Sequence, residues 1–199
     1  MSFPFRVERS RARSKAAAIL RDNGIEVPAV SAKSLLKCYA RLFYFEGICE
    51  ESLFDAGWCH FDDYEYKVYM NKNLQGGRDN FAYAHELGHI VLDHFVNYDV
   101  NALNAKQLMI LNREADIFAT NLIMPERFIY EYVKLPLTVQ NIGYLKDLFD
   151  VSWKAFITRL NELQICSVEE TEDIFTRWKC KKFMREHTES PETTFLWKS

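Results

Sequence analysis

At 199 residues the chain is long enough to bury a sizeable core, either as one domain or as one domain with a helical appendage. With 48% hydrophobic and 27% charged residues and a formal net charge of -3, it reads as a globular protein and not as a general binder of polyanions. No apolar run approaches the length of a membrane span, and the opening Met1-Ser2-Phe3-Pro4-Phe5-Arg6 lacks a secretory apolar core; the expected compartment is the cytoplasm, with no membrane partner.

Arg9 to Asn23 reads as a helix stopped by Asn23-Gly24. Its basic start, Arg6, Arg9, Arg11, Arg13 and Lys15, reads as a solvated face, with nucleic-acid contact as the alternative. Val30 and Ser31 resemble a staple and cap for a second helix reaching about Arg41, with Leu35, Leu36, Tyr39 and Ala40 inward. The period then changes. Leu42 to Phe45 and Ala56 to Phe61 are short strand candidates, and Tyr64, Tyr66, Val68 and Met70 alternate with their neighbours as a half-buried strand does. Asp62-Asp63 is the expected turn of a hairpin between the last two, so a small antiparallel sheet precedes the next helix. An edge strand at this place could take up an extended peptide.

That next helix carries His85-Glu86-Leu87-Gly88-His89, a His-Glu-x-x-His pattern. Four residues on a helix is about 40° of rotation, so His85 and His89 project from one face and can share one metal ion. Glu86 falls close enough to hold a water on that ion without being a ligand, which is the arrangement a zinc hydrolase requires. Phe81, Ala84, Gly88, Val91, Leu92 and Phe95 form the apolar stripe, Asp79 is the expected N-cap, and Gly88 signals a close neighbour.

Beyond the polar break at Asn97 to Asn101, a long helix is expected from about Leu103 to Met124, buried through Leu111, Ala115, Phe118 and Leu122. A catalytic zinc ion commonly has three protein ligands. His94 lies about 140° from His89 round an intact helix and so cannot serve. Glu114, at the edge of the long helix's apolar stripe, is the best choice, although an ordinary surface glutamate beside Arg113 also fits the spacing. Asp116 is about 200° from Glu114, so only one of the two can be a ligand. Asp93 and Asn121 are candidates to orient an imidazole, or plain surface. For the oxyanion partner, His60, Tyr64, Tyr66, Tyr69, Tyr83 and Arg78 are all near in sequence, and nothing selects among them.

Glu126 to Val133 reads as a short helix. Thr138 to Phe149 and Ser152 to Leu163 follow as two helices joined at Asp150-Val151, resembling a helix-turn-helix. Lys146, Lys154 and Arg159 are nearly matched by Asp147, Asp150 and Glu162, so a structural or partner-docking role is preferred and DNA contact is not favoured. Arg177, Lys179, Lys181, Lys182 and Arg185 make a basic patch in a terminal helix before a loosely ordered tail. Cys38, Cys49, Cys59, Cys166 and Cys180 form no Cys-x-x-Cys pair and read as reduced, partly buried hydrophobes.

Three stretches together resemble the ImmA/IrrE family of metallopeptidases: Arg78 to His89; Glu114-Ala115-Asp116-Ile117-Phe118-Ala119-Thr120-Asn121-Leu122-Ile123-Met124-Pro125; and Leu148 to Ser152 leading to Arg159-Leu160. The second is the most specific, and the similarity covers roughly Ala16 to Ile165. The resemblance implies a small α+β, gluzincin-like core; with the elements above, the expected fold is α+β, a mostly helical zincin-like core with a small antiparallel sheet (1–135) and then a C-terminal helix-turn-helix-like segment and tail (136–199). It further implies zinc on His85, His89 and Glu114, Glu86 as general base, and a helix-turn-helix repressor as protein substrate. Such proteins are tied to phages, mobile elements or stress responses. A non-hydrolytic DNA- or repressor-binding regulator and the toxin of a toxin-antitoxin pair are the competing expectations.

Overall fold

The computed structural model describes residues 6–47, 56–62 and 64–188, with side chains described through Cys180. Cys49, Asp63, the side chains of Lys181, Lys182 and Arg185, and the tail after Thr188 lie outside the described residues. The order of elements is α1 (Arg9–Asp22), α2 (Ala32–Leu36), β1 (Ala40–Phe45), β2 (Gly57–Phe61), β3 (Tyr66–Asn71), α3 (Arg78–Val91), α4 (His94–Asn97), α5 (Ala105–Ile123), α6 (Glu126–Tyr132), α7 (Val139–Leu148), α8 (Trp153–Glu162) and α9 (Val168–Thr188). The fold is α+β.

The β2–β3 hairpin forms as the alternation predicts, antiparallel with Cys59 opposite Val68. The sheet as a whole is mixed, because β1 takes the other edge of β3 in the parallel sense, with Leu42 opposite Val68. Inward-outward alternation is the same for either sense of pairing, so the pattern that predicts an antiparallel sheet could not exclude this one. The second helix is also shorter than its periodicity suggests. It ends at Leu36, because Ala40 and Arg41 pair with Tyr66 and Lys67, and this leaves Tyr39 exposed. Val68 and Met70 face the helices. Phe43, Tyr69 and Trp58 stack across the outer face at 5.1 and 5.0 Å.

α3 is the centre of the molecule, packed between α5, α2 and the sheet. Asn80 and every residue from Ala82 to Ile90 are buried, so the motif lies inside and not on the flanking side that a simple apolar stripe implies. Gly88 has the close neighbour its type suggests: a Cβ there would lie 3.1 Å from the Ala115 Cα of α5. α3 is N-capped by Gly77 (φ 76), not by Asp79, and a Cβ on Gly77 would meet the Val151 backbone at 2.4 Å. Asn80 ties three segments, accepting from the Ala32 N–H at 3.0 Å and donating to the carbonyls of Val30 (3.1 Å) and Asp150 (3.4 Å). Both C-terminal helices form where expected, α7 capped by Thr138 and α8 by Ser152. The pair docks on the core through Arg159, which is 2% exposed and donates to the Met124 carbonyl at 3.1 Å.

At the hairpin turn, the Lys67 ammonium beside Asp62, with backbone N–H groups of Glu65 and Tyr64, holds the Asp62 carboxyl down to about 2. A depressed carboxyl stabilises the fold above its unfolded value near 4, and that contribution is lost as pH falls through about 2. Acid unfolding of Asp62→Asn should therefore show a shallower loss of stability across that window than wild type, measured by urea titration at stepped pH.

Candidate metal centre

His85 and His89 sit four residues apart on α3 with their Nε2 atoms 3.1 Å from one another. The helix stops soon after. Arg11 of α1 donates to the Leu92 carbonyl at 2.7 Å, Asp93 adopts a left-handed conformation (φ 58), and the chain turns into α4 at His94. That break overturns the argument against His94, which assumed an intact helix. Fully buried, His94 places Nδ1 3.1 Å from His89 Nδ1 and Nε2 3.1 Å from Glu114 Oε2.

Glu114 is inside the cluster but is not arrayed with His85 and His89. One carboxylate oxygen accepts from His94 and the other from the Glu8 backbone N–H at 2.7 Å, so His94 stands between Glu114 and His89. Asp116 does reach the motif: its Oδ1 lies 3.0 Å from His85 Nδ1. Glu114 and Asp116, about 200° apart on α5, both reach the histidine row, one at each end and neither as a ligand of a shared ion. Ala115 lies on the seam with Gly88, so residues 100° to either side of it flank that seam and meet opposite ends of the histidine row. Asn112, which the sequence reading passed over, hydrogen-bonds to His89. Its place three residues before Ala115, one turn along the same face, was the available signal.

Asp93 and Asn121 orient neither imidazole. The left-handed turn sends Asp93 to Arg11 at 3.6 Å. Asn121, two turns beyond Glu114, faces α8, where it accepts from Arg159 at 3.0 Å. Among the oxyanion candidates, His60 and Tyr64 are exposed and Tyr83 hydrogen-bonds to Tyr44. Tyr66 approaches the cluster, packing 6.2 Å from the Phe95 ring, itself 5.8 Å from His89.

The hydrogen-bond partners assign the tautomers. Burial pushes the Glu114 carboxyl up, but His94 and the Glu8 N–H outweigh it and leave it below the ordinary carboxylate value. Burial pushes His94 down against the pull of Glu114. A neutral His94 therefore donates from Nε2 to an ionised Glu114, and its bare Nδ1 accepts from His89 Nδ1–H. Burial, with His85 and His94 beside it, holds His89 well below the usual imidazole value, so its Nε2 is also bare. Asp116 Oδ1, 3.0 Å from His85 Nδ1, takes the Nδ1–H and fixes the orientation of that ring.

Across this 3.1 Å contact the His89 Nε2 lone pair can accept a hydrogen from His85 Nε2, and a metal ion would replace that proton. A tetrahedral zinc ion at about 2.0–2.1 Å from each nitrogen would set them about 3.3 Å apart, so the two imidazoles fit a shared divalent ion. Glu114 supplies no third donor in this arrangement, and among the described residues no group of three or more His, Cys, Asp or Glu is placed to hold a metal. Beside the pair, Glu86 is buried and accepts the backbone N–H of Cys59 from edge strand β2; burial raises its carboxyl, against His85 and that N–H.

Residues 53–161, more than half of the chain, match the peptidase family described as the IrrE N-terminal-like domain. A search of curated proteins gave no match. Among solved structures, a Mycobacterium tuberculosis transcriptional regulator is similar in fold, with a TM-score of 0.55 and 12% identity over 76% of this chain and 46% of that one. The chain thus spans less than half of that regulator. Among the described residues no helix is long and apolar enough to cross a membrane. The matched stretch runs from the hairpin through α8 and encloses the histidine row, and on that match the chain belongs to the ImmA/IrrE family, with a metallopeptidase-like fold.

Proposed function

We propose that the protein is a zinc-dependent endopeptidase of the cytoplasm that cuts a regulatory protein partner. The observation that carries this reading is the convergence of the Nε2 atoms of His85 and His89, 3.1 Å apart beside the buried carboxyl of Glu86. His85 and His89 would hold the ion, Asp116 fixing the first ring and His94, backed by Glu114, fixing the second. Bound zinc supplies a water of lowered pKa and polarises the scissile carbonyl. Glu86, anchored by the Cys59 N–H, takes the proton of the attacking water and returns it to the leaving amine. The family suggests a helix-turn-helix repressor as partner and a mobile-element or stress-response setting.

One observation favours a second reading, a regulator that binds its partner or DNA without turnover: Glu114 is held by His94 and Glu8, away from the imidazole pair. Metal analysis and calorimetric titration test the shared premise. Wild type should take up about one zinc ion per chain, and His85→Ala and His89→Ala should each lose it. A wild-type protein indifferent to zinc would overturn the peptidase reading.

A further inference from the structure

Behind the Asp116 that orients His85, α1, α3, α5 and α8 enclose a cleft of about 330 Å³ with a side lobe of about 150 Å³. In a chain of net charge -3, its walls carry six cations: Arg9 and Arg13 from α1, Arg78 from α3, Arg113 from α5, and Lys154 and Arg159 from α8. Arg9 and Arg13 are one helical turn apart, so the basic start of α1 is a wall of this cleft and not merely a solvated face. The lining also holds two carboxylates, Asp116, 3.0 Å from His85 and 3.9 Å from Arg113, and Glu162, 3.4 Å from Arg159, so the cations remain in excess. The floor is apolar, formed by Leu74, Phe81 and Met124.

We infer that this cleft binds an acidic, partly apolar peptide segment of the protein partner. Low-dielectric walls with an excess of positive charge focus the field on an anionic chain, while the floor accepts its apolar side chains. A duplex fits poorly. Arg159 is 2% exposed and committed to Met124 and Asn121, and the α8 residues Lys154, Ala155 and Thr158 face the cleft, where they are not free to enter a major groove.

This inference rests on the proposed peptidase reading only in taking the bound segment to be part of the substrate. Its test is binding, measured by fluorescence anisotropy on full-length Glu86→Gln protein. The probes are a short labelled peptide alternating Glu or Asp with Leu, its lysine counterpart, and a DNA duplex. The acidic peptide should bind, more weakly as salt rises, and the lysine peptide should not. Arg13→Glu and Lys154→Glu, both at exposed positions, should each weaken binding roughly fivefold. Equal binding of both peptides, indifference to both reversals, or duplex binding through these residues with no acidic-peptide binding would each overturn the inference. Wild type that binds the acidic peptide yet cuts no partner would remove the peptidase reading alone.

Discussion

Glu86→Gln is expected to lower peptide hydrolysis by about 100- to 10,000-fold, the range lost with a general base, while zinc uptake stays at the wild-type level. The amide has the carboxylate's shape and can still accept the Cys59 N–H, so the local structure should persist. What it cannot do is carry a proton between water and leaving amine. Glu86 is buried and its carboxyl is raised, so exchange for a neutral group should leave stability unchanged or slightly increased. Turnover of a candidate repressor, followed by gel and mass spectrometry alongside zinc content, separates the outcomes. A variant as active as wild type would remove Glu86 from the chemistry. Wild type that binds zinc and partner but shows no cleavage would establish the non-hydrolytic regulator.

The second large effect is on stability. Glu114→Ala should cost about 2–4 kcal/mol, because it strands the buried His94 Nε2–H, worth about 1–3 kcal/mol when left unpaired, and removes the part-buried hydrogen bond from the Glu8 N–H, worth about 1 kcal/mol. It also unties the start of α1 from α5. Zinc per folded chain should nevertheless stay close to wild type, since the carboxylate acts on His89 only through His94. Urea unfolding combined with metal analysis of the folded fraction checks both halves. Loss of zinc without loss of stability would place Glu114 directly on the ion and overturn the arrangement described above.

These two residues show how differently parts of the site were legible. Glu86 follows from spacing alone, since a residue between two histidines one turn apart has its direction set by helix geometry. Glu114, expected as a zinc ligand, lies instead against His94 and the Glu8 N–H, a pairing that its spacing does not reveal. His94 was set aside on an angle that held only if α3 continued. It ends because Arg11, 81 residues earlier in the chain, takes the Leu92 carbonyl and Asp93 turns left-handed. Asp116 and Glu114 stand about 200° apart on α5, yet both reach the row, because Gly88 brings Ala115 so close that both flanks of the helix are used.

The amino-acid sequence by itself determined what depends on near neighbours: the hairpin, the capped α7 and α8, the long α5, and two imidazoles on one side of α3. All of these follow from backbone period and from short side chains bonding to adjacent N–H groups. Only the tertiary structure decided the sense of β1, the end of α2, the row Asp116–His85–His89–His94–Glu114, and the gathering of α1 and α8 cations round one cleft. Those features join residues far apart in the chain, and their energy comes from burial and partner exchange between elements, which no local pattern encodes.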